Sequence, residues 1–185
     1  MVKKMNQEKV KLSKHLSFVL RHKPEKIGLT LSKEGWANIE DLIEKSLKNG
    51  QYFTREIIKE IVQENNKKRF ELNENETLIR ACQGHSIEVD LKLKVKVPPA
   101  ILYHGTAETT MPKIRKSCGL SKMNRQHVHL SEDIETAKNV GSRHGKVVVI
   151  KIATSQMLKD GYKFYQSKNG VWLTDEVPSK YFIIG

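Results

Sequence analysis

The sequence predicts an α+β fold, with a helix-rich first half and a strand-rich second half. Apolar residues at helical spacing dominate residues 1–90, whereas short β-type runs bounded by turn residues dominate residues 101–185. Between them, residues 91–100 alternate apolar side chains with lysines and end at a Pro-Pro pair, a pattern typical of an extended connection. We therefore predict an N-terminal lobe at 1–90, a linker at 91–100 and a C-terminal lobe at 101–185.

Three helices are predicted in the first lobe. The first carries an apolar stripe and ends before Pro24, and residues 27–36 are then predicted to be extended around Gly28 and to turn at Gly35. Asn38 and Thr54 are favourable N-cap residues for the second and third helices. The residues predicted to share the buried face of the second helix are Ile39, Leu42, Ile43 and Leu47.

A hairpin is predicted to follow the helices. Residues 67–72 and 77–84 read as two strands, and the polar segment 73–76 supplies the turn between them. Short helices followed by a two-stranded wing are typical of a winged-helix module, which often binds nucleic acid, although a fold alone does not establish a function.

Strands dominate the prediction for the second lobe. Residues 132–140 are predicted to form a short helix, and Trp36 and Trp172 are predicted to lie in the core. The candidate strands are 101–104, 126–130, 146–152, 164–165, 170–173 and the C-terminal segment 181–185.

The chain is basic, which predicts a polyanionic partner. Its 185 residues carry a net charge of +12, and the pI is about 9.6. The excess is +6 in residues 1–97 and +6 in residues 98–185, so charge does not assign the partner to one lobe. Nucleic acid is the first candidate for such a partner.

Cysteine usage and hydropathy predict a cytoplasmic protein. Cys82 and Cys118 lack the spacing of a zinc or redox site, which favours a reduced compartment over a disulfide scaffold. No apolar segment of the signal-peptide kind follows the basic N-terminus, and the longest aliphatic run, 147–150, is too short to span a bilayer. We expect no association with a membrane.

Two motifs indicate binding chemistry. Arg21 and His22 are neighbours at the end of the first helix, where a guanidinium and an imidazole suit a phosphate. The alternative is a solvated helix end, where basic residues complement the helix dipole. In the second lobe, His104, Gly105 and Thr106 end a predicted strand and suit ribose hydroxyls, unless they form an ordinary strand-to-loop turn.

Metal and nucleotide-loop alternatives receive less support. His127 and His129 share one face of a predicted strand, but no third or fourth ligand stands at a supporting spacing. The segment 141–146 resembles a P-loop but is one residue short and is followed by valine. We therefore predict no metal site and no P-loop.

In their order and spacing, these segments resemble the RNA 2′-phosphotransferase family, NAD-dependent enzymes that remove the splice-junction 2′-phosphate from tRNA. The matching strings are LSKHLSFVLRHKP, GLTLSKEGWANIEDLI, KKRFEL, IRACQGHS, LYHGT, HVHLS, GSRHG and NGVWLTDEVPSKYF. The resemblance implies a winged-helix lobe that binds RNA, followed by a lobe of ADP-ribosyltransferase type that binds NAD.

The resemblance also implies an Arg-His-Arg-Arg catalytic set. Its first three members match Arg21, His22 and Arg69, and the fourth matches Arg143, with Arg125 as the competing candidate. The residues that the resemblance implies for NAD binding are His104, Gly105, Thr106, His129 and Ser131. Relatives that modify proteins have a glutamate where this chain has Val171, which argues against a protein acceptor.

The reaction that the resemblance implies has two steps. An RNA 2′-phosphate oxygen attacks the nicotinamide ribose of NAD, nicotinamide leaves, and the RNA carries a 2′-phospho-ADP-ribose adduct. A ribose hydroxyl of the adduct then attacks phosphorus, which gives 2′-OH RNA and ADP-ribose 1″,2″-cyclic phosphate. His22 either donates to the phosphate or protonates the departing hydroxyl.

Two other functions are alternatives to this one. The chain could ADP-ribosylate phosphate ends of nucleic acid, which stops after the first step, or bind RNA without catalysis. For the favoured function we expect the partner to be a tRNA-like RNA that carries a 2′-phosphate, and NAD to be consumed as co-substrate. We expect no obligate protein partner, and we expect the protein to be a monomer.

Overall fold

The computed structural model describes residues 7–64 and 67–183, and it confirms an α+β fold with small antiparallel sheets. The chain divides into two compact units, Met1–Lys92 and Leu93–Gly185, so the division falls inside the segment 91–100. Within the described ranges, no helix is both long enough and apolar enough to cross a bilayer.

The first unit combines three helices with one three-stranded antiparallel sheet in the order β1–β3–β2. Its elements are α1 (Gln7–Arg21), β1 (Ala37–Asn38), α2 (Ile39–Lys48), α3 (Arg55–Glu64), β2 (Phe70–Leu72) and β3 (Leu78–Ala81). The apolar stripes of the helices pack on the sheet and on one another, so the core of this unit contains Leu16, Leu20, Ile39, Leu42, Ile58, Ile61 and Ile79.

Both predicted helix caps are confirmed. The Asn38 side chain accepts a hydrogen bond from the Asp41 N–H at 3.1 Å, and the Thr54 hydroxyl accepts one from the Ile57 N–H at 3.2 Å. Each contact satisfies a backbone donor that the first turn of a helix leaves without an intrahelical partner. These local contacts explain why α2 and α3 begin where they do.

The predicted burial of Leu47 is wrong, because 55% of its surface is exposed. Ser46 is fully buried instead, alongside Ile39 and Leu42. Successive helical residues are about 100° apart, so the face centred on Ile39 and Leu42 passes through position 46 rather than 47.

The extended segment predicted at 27–36 is also wrong at its beginning. A single 3-10 turn, Pro24–Ile27, follows α1 and ends at Gly28, whose φ is 69°. Proline favours the start of such a turn, and glycine tolerates the left-handed conformation that ends it. In the β2–β3 hairpin, the Asn73 carboxamide accepts the N–H groups of Thr77 and Leu78 at 2.8 Å each, which confirms a tight turn there.

Trp36 is not a core residue, contrary to the prediction, because it is only half-buried. The Arg80 guanidinium lies 4.4 Å from the centroid of its ring, and the Arg80 Nε donates to Glu71 Oε1 at 2.6 Å. A guanidinium stacks well on an indole face and pairs with a carboxylate at the same time. Arg80 therefore stabilises the hairpin through both partners.

The second unit is built from three small antiparallel sheets with short helices. Two sheets have three strands, in the orders β11–β7–β4 and β6–β9–β8, and the third pairs β10 with β5. Its strands are β4 (Leu102–Ala107), β5 (Gly119–Ser121), β6 (Val128–Leu130), β7 (Val147–Ile152), β8 (Tyr165–Gln166), β9 (Trp172–Thr174), β10 (Glu176–Pro178) and β11 (Phe182–Ile183). Its helices are α4 (Met111–Lys116), α5 (Ile134–Gly141) and α6 (Thr154–Lys159).

The predicted strands of this unit all have a counterpart, and buried Trp172 confirms the core prediction. Strands β5 and β10 and helices α4 and α6 were not predicted. Of the predicted strand 181–185, residues 184–185 lie outside the described part of the chain. The segment after Lys92 is attached to this unit, since the Lys96 N–H donates to the Phe164 carbonyl at 2.8 Å.

Two glycines allow β4 and α5 to approach unusually closely. A Cβ atom at Gly105 would lie 1.7 Å from the Ala137 carbonyl oxygen, and one at Gly141 would lie 2.8 Å from the Thr106 nitrogen. Neither separation is sterically possible, so only glycine fits at these positions while the helix packs as it does.

His15 in α1 makes the stability of the first unit depend on pH. Its Nε2 lies 3.1 Å from the Ser46 hydroxyl, its ring packs 5.6 Å from the Phe53 ring, and burial lowers its pKa. The folded state therefore binds fewer protons than the unfolded state, so stability is lost as pH falls below the ordinary pKa of about 6.5.

We expect His15→Gln to weaken this dependence, because glutamine reaches Ser46 without titrating. Urea unfolding at pH 8 and pH 5 measures the effect. The unfolding free energy of the wild-type protein should fall further between these pH values than that of the variant. Equal losses in the two proteins would contradict the assignment to His15.

Candidate functional site

The C-terminal end of α1 places Arg21 against the β2–β3 hairpin. Arg21 is only 9% exposed, its Nη2 donates to the Arg69 carbonyl at 3.4 Å, and its guanidinium lies 5.9 Å from the Phe70 ring centroid. Guanidinium groups are rarely this buried unless hydrogen bonds or a ligand compensate them. The structure thus brings the predicted residues Arg21 and Arg69 into one local cluster.

Ser86 contacts both members of the Arg21-His22 pair. Its N–H donates to the Arg21 carbonyl at 2.9 Å, and its hydroxyl lies 2.9 Å from His22 Nδ1. A hydroxyl both donates and accepts, so this contact serves the neutral and the protonated imidazole. Ser86 therefore orients the His22 ring.

Arg69 immediately precedes β2 and is half-buried. Its carbonyl accepts the Cys82 N–H at 2.9 Å as well as the Arg21 contact. The backbone at Arg69 is consequently fixed from two directions. Arginine and histidine side chains suit a phosphate, because charge-assisted hydrogen bonds to phosphate oxygens are strong and Arg binds them in bidentate geometry.

In the second unit, hydrogen bonding identifies the tautomer of His104. Its Nδ1 lies 3.0 Å from the His129 carbonyl oxygen, which can only accept, so the proton is on Nδ1. Burial lowers the His104 pKa, and the contact with the His129 carbonyl offsets this only in part. The ring is therefore neutral near pH 7, and Nε2 is a hydrogen-bond acceptor.

The remaining residues predicted to bind NAD lie on β4, on β6 and directly after β6. Tyr103 and Ser131 exchange backbone hydrogen bonds at 2.8 and 2.9 Å, which joins β4 to the residue that follows β6. Thr106 is buried at the far end of β4, and Gly105 faces α5. The structure thus gathers His104, His129 and Ser131 and gives Gly105 a packing function of its own.

Arg143 lies on the 3-10 turn Ser142–His144 that follows α5, and it is exposed. This turn adjoins β4 through the Gly141 packing described above. The competing candidate, Arg125, is exposed in the turn before β6, where its N–H donates to the Lys122 carbonyl at 2.9 Å. Arg143 and Arg125 both belong to the second unit, whereas Arg21, His22 and Arg69 belong to the first.

Across residues 7–64 and 67–183, no group of three or more His, Cys, Asp or Glu side chains is arranged to hold a metal ion. His127 packs its ring 5.7 Å from the Tyr165 ring, and burial lowers its pKa. An aromatic packing role accounts for these observations.

Comparison with known proteins gives consistent matches over most of the chain. Residues 7–176 match the model of the family described as RNA 2′-phosphotransferase, Tpt1 / KptA family. A "Probable RNA 2′-phosphotransferase" of Fusobacterium nucleatum is 61% identical over 173 residues, covering 93% of this chain and 96% of the relative.

Two further relatives carry the same printed name. The protein of Burkholderia pseudomallei is 54% identical over 169 residues, covering 91% of each chain. That of Flavobacterium johnsoniae is 53% identical over 178 residues, covering 96% of this chain and 97% of the relative.

Proposed function

The chain belongs to the RNA 2′-phosphotransferase, Tpt1 / KptA family, and we propose that it transfers an internal RNA 2′-phosphate to NAD. RNA 2′-phosphotransferase activity follows from the family; NAD as acceptor and a tRNA-like RNA as donor are the proposed details. The observation that carries the proposal is the hydrogen bonding of the Arg21-His22 pair, in which the Arg21 guanidinium is held at the Arg69 carbonyl and the His22 ring at the Ser86 hydroxyl.

Arg21 and Arg69 are proposed to bind the RNA 2′-phosphate. A phosphate monoester is already an anionic nucleophile near neutral pH, so the protein has to position it and screen its charge rather than deprotonate it. Bidentate guanidinium contacts perform both tasks. His22, oriented by Ser86 at 2.9 Å, either donates to the same phosphate or protonates the hydroxyl that departs in the second step.

The residues of β4 and β6 fit a dinucleotide co-substrate. NAD, when bound, supplies a ribose carbon from which nicotinamide departs. Because His104 is neutral and protonated on Nδ1, its Nε2 accepts a hydrogen bond from a ribose hydroxyl, which is a donor. Arg143 is proposed to stabilise charge that develops in the transition state, with His129, Ser131 and Thr106 as further NAD-binding residues.

Two fold assignments support these roles. Three helices with a β1–β3–β2 antiparallel sheet fit a winged-helix lobe, and the small antiparallel sheets of the second unit fit a lobe of ADP-ribosyltransferase type. We further propose that the protein acts in the cytoplasm and takes part in RNA processing, in a reaction like that of tRNA splicing.

We expect His104→Ala to raise the KM for NAD by roughly tenfold, the upper range for losing one hydrogen bond. His104→Gln should recover part of the loss, since an amide donates to the His129 carbonyl and accepts from a hydroxyl. His127→Ala is the matched control, because that ring packs on Tyr165. Steady-state kinetics at saturating RNA measures these constants, and an unchanged KM in His104→Ala would remove this residue from the NAD site.

Product analysis separates the proposed reaction from its alternatives. An RNA with a labelled internal 2′-phosphate is incubated with NAD, and RNA and nucleotide products are resolved over time. The proposed function predicts dephosphorylated RNA and a labelled cyclic phosphate. Lasting accumulation of ADP-ribosylated RNA would instead indicate a transferase that stops after the first step, and salt-dependent binding without products would indicate an RNA-binding protein.

A further inference from the structure

The outward face of α1 presents an aromatic ring among lysines. The opposite face of the helix is buried in the core through Leu12, Leu16, Val19 and Leu20. Lys11, Lys14 and Phe18 are all exposed, and Phe18 leaves 44% of its surface accessible. Neither the core nor the cluster around Arg21 requires a large apolar side chain at this position.

This face leads directly to His22. Lys14, Phe18 and His22 follow one another at intervals of four residues. The His22 N–H donates to the Phe18 carbonyl at 3.0 Å, so the helical geometry continues through His22. Residues at this spacing lie one turn apart on the same helix face, with Cβ atoms about 5–6 Å apart. The Phe18 ring is therefore a neighbour of the proposed phosphate-binding imidazole.

We propose that Phe18 stacks on a nucleobase next to the 2′-phosphorylated nucleotide, while Lys14 and Lys11 bind phosphates of the same RNA strand. The inference rests on the proposed function, which places the 2′-phosphate at Arg21 and His22. Proteins that bind single strands combine aromatic platforms with basic side chains in this way. Because a phenyl ring has no hydrogen-bonding group, the contact tolerates any base.

Charge favours RNA over a protein as the occupant of this face. Lysine is depleted in protein–protein interfaces, and one exposed ring among lysines is not the contiguous apolar patch that a protein partner buries. The net charge of +12 points the same way. The face therefore matches one strand of nucleic acid in both its charge and its aromatic content.

The test pairs a protein change with an RNA change. The kcat/KM is measured for a short single-stranded RNA with one internal 2′-phosphate and for two versions with an abasic nucleotide on the 5′ or the 3′ side of it. With wild-type protein, one abasic substitution should lower kcat/KM about tenfold, as expected for one lost base–aromatic stack. Phe18→Ala should lower it equally on the intact RNA and show no further loss on that abasic RNA.

Further variants separate stacking from other effects. Phe18→Tyr should keep kcat/KM within about twofold, whereas Tyr52→Ala, which removes another exposed aromatic ring of the same unit, should have no effect. Lys14→Gln should reduce the slope of log kcat/KM against log salt by about 0.7, the value for one phosphate contact on a single strand. Thermal unfolding verifies that each variant is folded.

The inference is overturned if Phe18→Ala has the same kcat/KM as the wild-type protein on intact RNA. It is also overturned if Phe18→Ala and the abasic nucleotide each lower kcat/KM independently, so that their effects multiply when the two changes are combined. Capture of the Phe18 face by a second copy of the chain, seen as concentration-dependent association that Phe18→Ala abolishes, would also overturn it. A wild-type protein that turns over no 2′-phosphorylated RNA would overturn the proposed function itself, a result distinct from an active enzyme that is indifferent to Phe18.

Discussion

Arg69→Ala is expected to lower turnover by about a hundredfold to a thousandfold while leaving the protein folded. Both steps of the proposed reaction take place at the phosphate that Arg69 is proposed to bind, and removing one positioned donor to a reacting group costs about that much in rate. The backbone contacts at this position persist, because it is the Arg69 carbonyl that accepts from Cys82 and from Arg21. Single-turnover kinetics, with circular dichroism and thermal unfolding alongside, measures both parts of the prediction.

Arg80→Ala is the matched control, since Arg80 belongs to the same hairpin and performs a structural role. It stacks on Trp36 and pairs with Glu71, so its loss removes both contacts. We expect a loss of about 1–3 kcal/mol in unfolding free energy and little change in turnover by the folded fraction. Near-normal activity in Arg69→Ala would show that the catalytic arginine has been misassigned.

Gly105→Ala is expected to destabilise the second unit by about 3 kcal/mol or more, the upper range for overpacking, because its methyl group would meet a backbone oxygen rather than a movable side chain. For a unit of this size, such a loss lowers the melting temperature by more than about 10 °C. Differential scanning calorimetry of the full chain measures the shift. Activity measured below the new melting temperature then reports any separate role of Gly105 toward NAD.

His104→Ala provides the contrast for this variant. His104 lies on the same strand but its Nδ1 points to the His129 carbonyl, so its loss should affect NAD binding more than folding. A Gly105→Ala protein with an unchanged melting temperature would show that α5 does not pack on β4 as closely as the structure places it.

Elements determined by local interactions were predictable from the sequence. Asn38 and Thr54 identify helix starts because the capping contact spans only three residues. Strands β5 and β10 were missed because each has three residues and no periodicity, and they pair across more than fifty positions of the chain. The predicted burial of Leu47 is wrong because the sequence of a ten-residue helix is compatible with more than one buried face. Tertiary packing buries the face that contains Ser46 and leaves Leu47 exposed.

The candidate site shows the same difference between local contacts, which the sequence predicts, and long-range contacts, which it does not. The Arg21-His22 pair is visible because the two residues are adjacent at a helix end. The contact of Ser86 with His22 joins residues 64 positions apart, and the approach of Gly105 to Ala137 joins two elements with no shared motif. Such contacts arise from tertiary packing, so no spacing pattern in the sequence predicts them. The tautomer of His104 likewise depends on a carbonyl of another strand.

The central claim is NAD-dependent removal of an internal RNA 2′-phosphate, and a turnover assay tests it most directly. A short RNA with one internal 2′-phosphate is incubated with the protein, with and without NAD, and phosphate loss and nicotinamide release are measured together. We expect phosphate loss only with NAD and one nicotinamide released for each phosphate removed. A folded protein that binds NAD but leaves the 2′-phosphate in place would contradict the claim.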